Sequence, residues 1–333
     1  MKKILLILTG GTIGSRIDSS GTISTNGKPL ILEACQNRVD KVAKFDVIEP
    51  LCVLSENMTL FQRESLIKAI RNTNTTKYDG IIVTHGSDTL TYTAALCGMA
   101  LRDTDIPIVF IASDLVLSDP KSNGRDNFES AVSFICDNQI KRGVFICYKD
   151  FNGENAIYLA TRLCEADPFL DRFNSFDGTR FGKTQKGRFI YEENRFNPDL
   201  DSVNAPKAPI LPLNFSLKDS IALLRSCPAF NYSRFDISGL DAVINYGYHS
   251  ATVDEKSFYE FAKRCNDNNV FIYLASFKDP NSPIYESLEK ILELPNVKRL
   301  FNISPESAYA KVTLAYSIDK RLIDERIYYE IIK

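Results

Sequence analysis

Along the first 150 residues, short apolar runs recur, each closed by a turn and most followed by a stretch of helical spacing. Ile4-Leu5-Leu6-Ile7-Leu8 is the first, and it stops at Gly10-Gly11. A continuous apolar run of this length ending in a glycine turn is the mark of a strand buried on both faces. Residues 61–72 then place Leu66, Ile67 and Ile70 on one helical side. Gly80-Ile81-Ile82-Val83-Thr84 is a second buried strand, followed by a polar turn and an apolar helix from Tyr92 to Leu101. Residues 107–111 and 144–147 are two more strands, with a helix over 127–137 between them. Strands alternating with helices build βαβ units, so the expected fold class is α/β, with a doubly wound, mostly parallel sheet.

The composition shifts between residues 174 and 220, where Asp177-Gly178, Gly182, Gly187 and Pro198, Pro206, Pro209 and Pro212 gather. This stretch reads as a hairpin-like excursion followed by a linker. Strand-helix alternation resumes at Ala242-Val243-Ile244 and continues through 254–266, 270–274, 283–293 and 305–317. The expected layout is a larger domain over 1–190, a linker over 191–212 and a smaller α/β domain over 213–333. A length of 333 residues also exceeds one comfortable core.

The formal net charge of −2 gives no electrostatic footprint for nucleic acid or an anionic membrane. The apolar run after Lys2-Lys3 is broken too early for a secretory core or a bilayer span. Eight cysteines stand singly, without a Cys-x-x-Cys pair, and there are only two histidines. Buried free thiols in a reducing compartment are therefore expected, with neither disulfide nor metal. These features point to a cytoplasmic protein with a small-molecule partner and no cofactor.

Three polar motifs carry candidate chemistry. Thr9-Gly10-Gly11-Thr12-Ile13-Gly14 directly follows the first strand. Ligands of open α/β sheets bind at the carboxyl ends of strands, which is where Thr12 stands. The glycines admit tight turns, and an amide such as that of Gly11 can face a developing oxyanion. The run lacks the form of a phosphate-binding loop. Thr84-His85-Gly86-Ser87-Asp88-Thr89 follows the second buried strand and sets a hydroxyl beside a carboxylate, as nucleophile activation or capture of an ammonium requires. Its plainer explanation is a helix cap at Ser87, Asp88 or Thr89, with His85 bonding only backbone. Leu54-Ser55-Glu56-Asn57-Met58-Thr59 precedes a helix that Thr59 is placed to cap.

In order and spacing the three motifs resemble the L-asparaginase/glutaminase family. The similarity continues through Ser122-Asn123-Gly124-Arg125-Asp126-Asn127, Asn245-Tyr246-Gly247-Tyr248 and Ile303-Ser304-Pro305-Glu306-Ser307-Ala308. The Asn57-Met58-Thr59 wording fits the cytoplasmic branch. The resemblance implies that Thr12 attacks a side-chain amide, releasing ammonia and leaving an acyl-enzyme that water cleaves. It implies that Ser55 and Asp88 hold the substrate's α-carboxylate and α-ammonium, with Glu56 beside the amino group. It also implies a homodimer or homotetramer.

Three positions depart from the family. Ser87 replaces a second catalytic threonine but keeps a hydroxyl. No tyrosine occurs between Thr12 and Tyr78, although residues 15–29 are rich in Ser, Thr and Gly, as a lid would be. Glu165 falls where the family has a lysine that hydrogen-bonds the second threonine; Arg162 or Lys149 is the other source of that charge. Glu165 reverses the sign of the field on the nucleophile. The leading expectation is an amidohydrolase acting on L-asparagine or a close relative. The alternatives are a catalytically silent amino-acid binder, and an amidase or transferase whose substrate carries a cation for Glu165.

Overall fold

The computed structural model describes residues 1–17, 23–25 and 30–333. They form two compact units, Met1–Asn214 and Phe215–Lys333.

The first unit begins with β1 (Lys2–Ile7), a small antiparallel pair of β2 (Ser15–Ile17) and β3 (Ile23–Thr25), α1 (Leu30–Val39) and β4 (Ala43–Ile48). Next come α2 (Leu60–Arg71), β5 (Gly80–Thr84), α3 (Leu90–Ala100), β6 (Pro107–Ile111) and α4 (Gly124–Asp137). It closes with β7 (Gly143–Lys149), β8 (Asn155–Leu159), β9 (Gly182–Gln185), β10 (Arg188–Tyr191) and α5 (Leu200–Asn204). The main sheet has eight strands in the order β10-β9-β8-β7-β6-β5-β1-β4. From β7 to β4 all neighbours are parallel, and β8 to β10 continue the sheet antiparallel. Every residue of β5 and β6 is buried, as a strand covered on both faces requires. α1 packs on α4 and α2 on α3, so helices cover the sheet. The chain leaves β1 for β4 on one side and returns to β5 on the other. That makes the β1/β5 junction a switch point, the place where open α/β sheets bind ligands.

β9 and β10 are the hairpin expected after residue 174. The stretch 191–212, expected to be a linker, falls within the first unit and contains α5. Its Leu211 and Ala208 carbonyls accept from Arg71 Nη1 (3.1 Å) and Arg102 Nε (2.8 Å). These anchors come from residues far apart in sequence, which prolines alone do not signal.

The second unit has one four-stranded parallel sheet, made of β11 (Ile221–Arg225), β12 (Ala242–Tyr246), β13 (Phe271–Phe277) and β14 (Val297–Phe301). Its helices are α6 (Glu255–Asp267), α7 (Glu286–Leu292) and α8 (Pro305–Ser317). α6 and α7 pack together over a core that includes Tyr232, Phe258, Phe261, Leu274 and Ile291. α8 packs against β11, β12 and β13.

All eight cysteines are free. Cys35, Cys97, Cys147 and Cys265 are buried, and burial pushes the first three thiols up to about 12. Cys52 and Cys227 are exposed, so burial does not account for every thiol. Among the described residues, no helix is long and apolar enough to cross a membrane.

Candidate active site

The loop after β1 is built by backbone geometry that only glycine accommodates. Gly10 (φ +96°) forms a parallel bridge with Val53, and a Cβ there would overlap the Val53 backbone. Gly11 (φ +76°) lies so close to Gly86 that a Cβ would overlap the Gly86 nitrogen and Cα. The two loops at the switch point therefore touch through glycine on both sides. Thr12 opens a single 3-10 turn, Thr12–Gly14, held by the Gly14 N–H on the Gly11 carbonyl (3.0 Å). The Ser15 hydroxyl donates to the same carbonyl (2.7 Å). Thr9 ties this loop to the end of β5 by donating to the Thr84 carbonyl (2.7 Å). The Gly11 N–H donates to Val53 O (3.1 Å), so its amide is already engaged and does not face an oxyanion. Gly11 instead contributes the missing side chain that lets Gly86 approach.

The loop after β5 is fixed from below by His85. Its N–H donates to Ile111 O (2.9 Å), Nδ1 pairs with Gly86 O (2.8 Å) and Nε2 faces the Met58 sulfur (3.3 Å). Burial lowers its pKa to about 4, leaving a neutral ring in a structural role. Thr89 occupies the N-cap of α3, but its hydroxyl donates to the Ser55 carbonyl (2.8 Å) and does not cap the helix. That bond draws in the third motif. Ser55 is buried, Gly86 leaves no room for a Cβ beside its hydroxyl, and Ser55 Oγ donates to Asp88 Oδ2 (3.3 Å). Glu56 is exposed beside it in the same 3-10 turn. Thr59 caps α2 as expected, in a full capping box with Gln62.

A cavity of about 410 Å³ opens beside these loops, lined by Ser87, Asp88, Asp114, Tyr148, Glu165, Ala166, Asp167, Pro168 and Asp171. Ser87, Asp88 and Glu165 thus share one wall. Ser55 joins them through Asp88, and Thr12 stands next to the glycine that packs on Gly86. Thr12 is partly exposed and is not itself part of the cavity lining. Glu165 accepts from the Tyr92 hydroxyl (2.7 Å), which is on the first turns of α3. The other two candidate cations are held elsewhere. Lys149 pairs with Asp126, while Arg162 is buried against Asp177 (2.8 Å) and donates to Phe196 O (2.8 Å). The stretch 15–29, expected to form a lid, lies largely outside the described residues.

Asp114, Tyr148, Asp167 and Asp171 were not anticipated from the sequence. Asp114 follows β6 and Tyr148 lies at the end of β7, so the strand-end rule that located Thr12 and Ser87 also points to them. Asp114 is pinned by its own backbone, accepting from Leu115 N (2.8 Å) and Asn123 N (3.0 Å), and pairs with Arg172 (3.3 Å). Asp167 accepts from the N–H groups of Phe169 (2.9 Å) and Leu170 (2.8 Å), a tight turn that carries the loop past the cavity.

A family model described as Asparaginase, N-terminal matches residues 3–196. The L-asparaginase of Thermococcus kodakarensis is 30% identical over 210 residues, 60% of this chain and 61% of that protein. A glutamyl-tRNA(Gln) amidotransferase component from Methanococcus maripaludis is 25% identical over 289 residues, 83% of this chain and 66% of that one. The matches therefore span less than two thirds of these relatives' own length. Among solved structures, the thermostable L-asparaginase from Thermococcus kodakarensis superposes over 99% of both chains with a TM-score of 0.79, at 20% identity. A probable cytoplasmic L-asparaginase from Campylobacter jejuni does so over 99% of both chains with a TM-score of 0.75, at 19% identity. These two are likenesses of fold.

Proposed function

Because this chain belongs to the asparaginase family, we propose that it is an amidohydrolase that cleaves the side-chain amide of L-asparagine or a close relative through Thr12. The observation that carries the reading is the meeting of three separate loops: Gly11 against Gly86, Gly86 against Ser55, and Ser55 on Asp88. In this reading the Asp88 carboxylate, held by Ser55, pairs with the substrate's ammonium. Fixing that end places the amide carbon at Thr12, whose partly exposed side chain stands at the carboxyl end of β1. Ser87 supplies the second hydroxyl. Glu56 adds a second carboxylate for the ammonium. A cytoplasmic location and a homodimer or homotetramer go with this reading, and sedimentation of the purified chain tests the latter.

The relation to an amidotransferase component, over most of this chain, favours a second reading in which ammonia is released for use by another enzyme. Ammonia release from L-asparagine, D-asparagine and L-glutamine separates the two. Under the first reading L-asparagine is preferred over L-glutamine, and Thr12→Ala reduces its turnover by roughly a thousandfold or more. Undiminished release in Thr12→Ala would remove Thr12 from the chemistry. No release from any amide, in a protein that still binds amino acids, would leave a silent binder.

A further inference from the structure

The first unit has a second, larger cavity of about 600 Å³, which shares no lining residue with the one beside Ser87. Its walls come from the turn joining β7 to β8, from β8 itself, and from the loops around residues 174–180 and 192–194. Its volume lies within the range of pockets that hold small ligands. What such a ligand must be follows from which polar groups of the wall are already engaged.

The charges answer one another. Among the described residues, Arg180 is the only basic side chain of the lining. Its Nε donates to both oxygens of Glu192 (2.8 Å each), Nη1 pairs with Asp150 (2.6 Å) and Glu154 (2.7 Å), and Nη2 with Glu192 (2.7 Å). An anion therefore meets no open cation, and a cation meets one unpaired carboxylate, the exposed Glu193. Several neutral groups are engaged as well. The Ser175 and Thr179 hydroxyls donate to Asp177 Oδ1 (2.6 and 2.9 Å). The Asn194 carboxamide accepts from the N–H groups of Phe196 and Asn197 (2.9 Å each) and donates to the Glu192 carbonyl (3.3 Å).

Three neutral polar groups are left open. Tyr158 is only 6% exposed, yet among the described residues its hydroxyl has no hydrogen-bond partner. The oxygen is not sealed in the core, so its accessible side is the cavity that Tyr158 lines. Burial pushes this phenol up, which keeps it protonated and able to donate. The carboxamides of Asn152 and Asn174 likewise have no partner among the described residues. Their backbones are nevertheless pinned. The Gly153 N–H donates to the Asp150 carbonyl (3.0 Å) and closes the turn that carries Asn152, while the Asn174 carbonyl accepts from the Cys164 N–H (2.9 Å). Next to Asn152, the Phe151 ring is 45% exposed and makes no ring contact among the described residues. A carboxamide and a phenol each both donate and accept, as a ligand hydroxyl does, and an aromatic ring offers an apolar face. A sugar ring, with hydroxyls at its edge and C–H groups on its faces, complements that set.

We infer that this cavity is a binding site for a neutral carbohydrate, with Tyr158, Asn152 and Asn174 hydrogen-bonding its hydroxyls and Phe151 packing on a C–H face. The site is separate from the amide chemistry and stands whether or not that reading holds. The test is calorimetric titration of the full chain with D-glucose and maltose, beside D-glucuronate and D-glucosamine as charged counterparts. Saturable binding of at least one neutral sugar is expected, with a Kd in roughly the millimolar range or tighter. Both charged compounds should bind more weakly. Tyr158→Phe, Asn152→Ala and Asn174→Ala should each weaken binding by roughly three- to tenfold, the loss of one hydrogen bond. Phe151→Ala should weaken it as well. Ser87→Ala, in the other cavity, should leave it unchanged. Asn152 and Asn174 are exposed, so their variants keep the test valid even where circular dichroism shows Tyr158→Phe to be misfolded. No saturation by either neutral sugar at about 50 mM overturns the inference. So does equal binding of a charged counterpart, or binding that is lost in Ser87→Ala and retained in the Asn152 and Asn174 variants.

Discussion

At the scale of single residues, His85 shows how tightly the loop after β5 is held. It is fully buried, and desolvation lowers its pKa from 6.5 to about 4. Between these values the unfolded chain binds a proton that the folded one refuses, so stability from this group is complete above pH 6.5 and declines as pH falls toward 4. From pH 7 to pH 5 the loss is about 2 kcal/mol. Urea midpoints across that range should fall in the unmodified protein and fall less steeply in His85→Gln. Parallel slopes would mean that the ring is not held neutral. The sequence allowed His85 to be read as a backbone-bonding residue, because it directly precedes a glycine turn. It could not reveal the Met58 sulfur facing the ring, since Met58 reaches it from another motif. Tyr92 was likewise legible only as the start of an apolar helix; its contact with Glu165 spans 73 positions.

At the scale of elements, the helix starting after Thr59 couples the Ser55 loop to the core. Thr59 accepts from Gln62 N (3.3 Å) and its N–H donates to Gln62 Oε1 (2.8 Å), a reciprocal capping box. Thr59→Ala should cost about 1 kcal/mol. Because Met58 and Ser55 immediately precede the cap, frayed residues 55–60 should also exchange amide hydrogens faster, which mass spectrometry reads directly. Unchanged exchange there would show that the Ser55 loop is held without the cap. Elements with strong apolar runs, such as β1, β5 and β6, were legible because burial on both faces removes polar residues. Two of the strands missed carry charge in their sequences. β4 reads Ala-Lys-Phe-Asp-Val-Ile and lies at the sheet edge, with Val47 and Ile48 exposed. β14 reads Val-Lys-Arg-Leu-Phe and is likewise an edge strand. Edge strands tolerate, and benefit from, such charges, so periodicity alone gave them no signal.

At the scale of the whole molecule, each unit closes on a buried polar lock that no local pattern announces. In the first it is Arg162 with Asp177, both almost fully buried. In the second it is Lys311 with Glu330 (2.8 Å), whose side chains are 1% and 0% exposed. Lys311 occupies one position of α8 that reads, in isolation, as an ordinary helix lysine. In the fold it points inward, donates also to the Glu325 carbonyl, and meets a carboxylate near the chain's end. Glu330 in turn accepts from the N–H groups of Ile327 (2.8 Å) and Tyr328 (2.6 Å), so one ion pair fastens the last ten or so residues to α8. Removing one partner of such a pair strands a charge away from water, which costs roughly 3–5 kcal/mol. Lys311→Met should therefore destabilise the second unit by that amount and speed amide exchange across residues 305–330. Lys311→Met combined with Glu330→Gln should recover a good part of the loss, because the neutral amide still offers one oxygen to the Ile327 and Tyr328 N–H groups. If the double variant is no more stable than the single one, the pair serves packing alone, and its charge is not what holds the terminal segment in place.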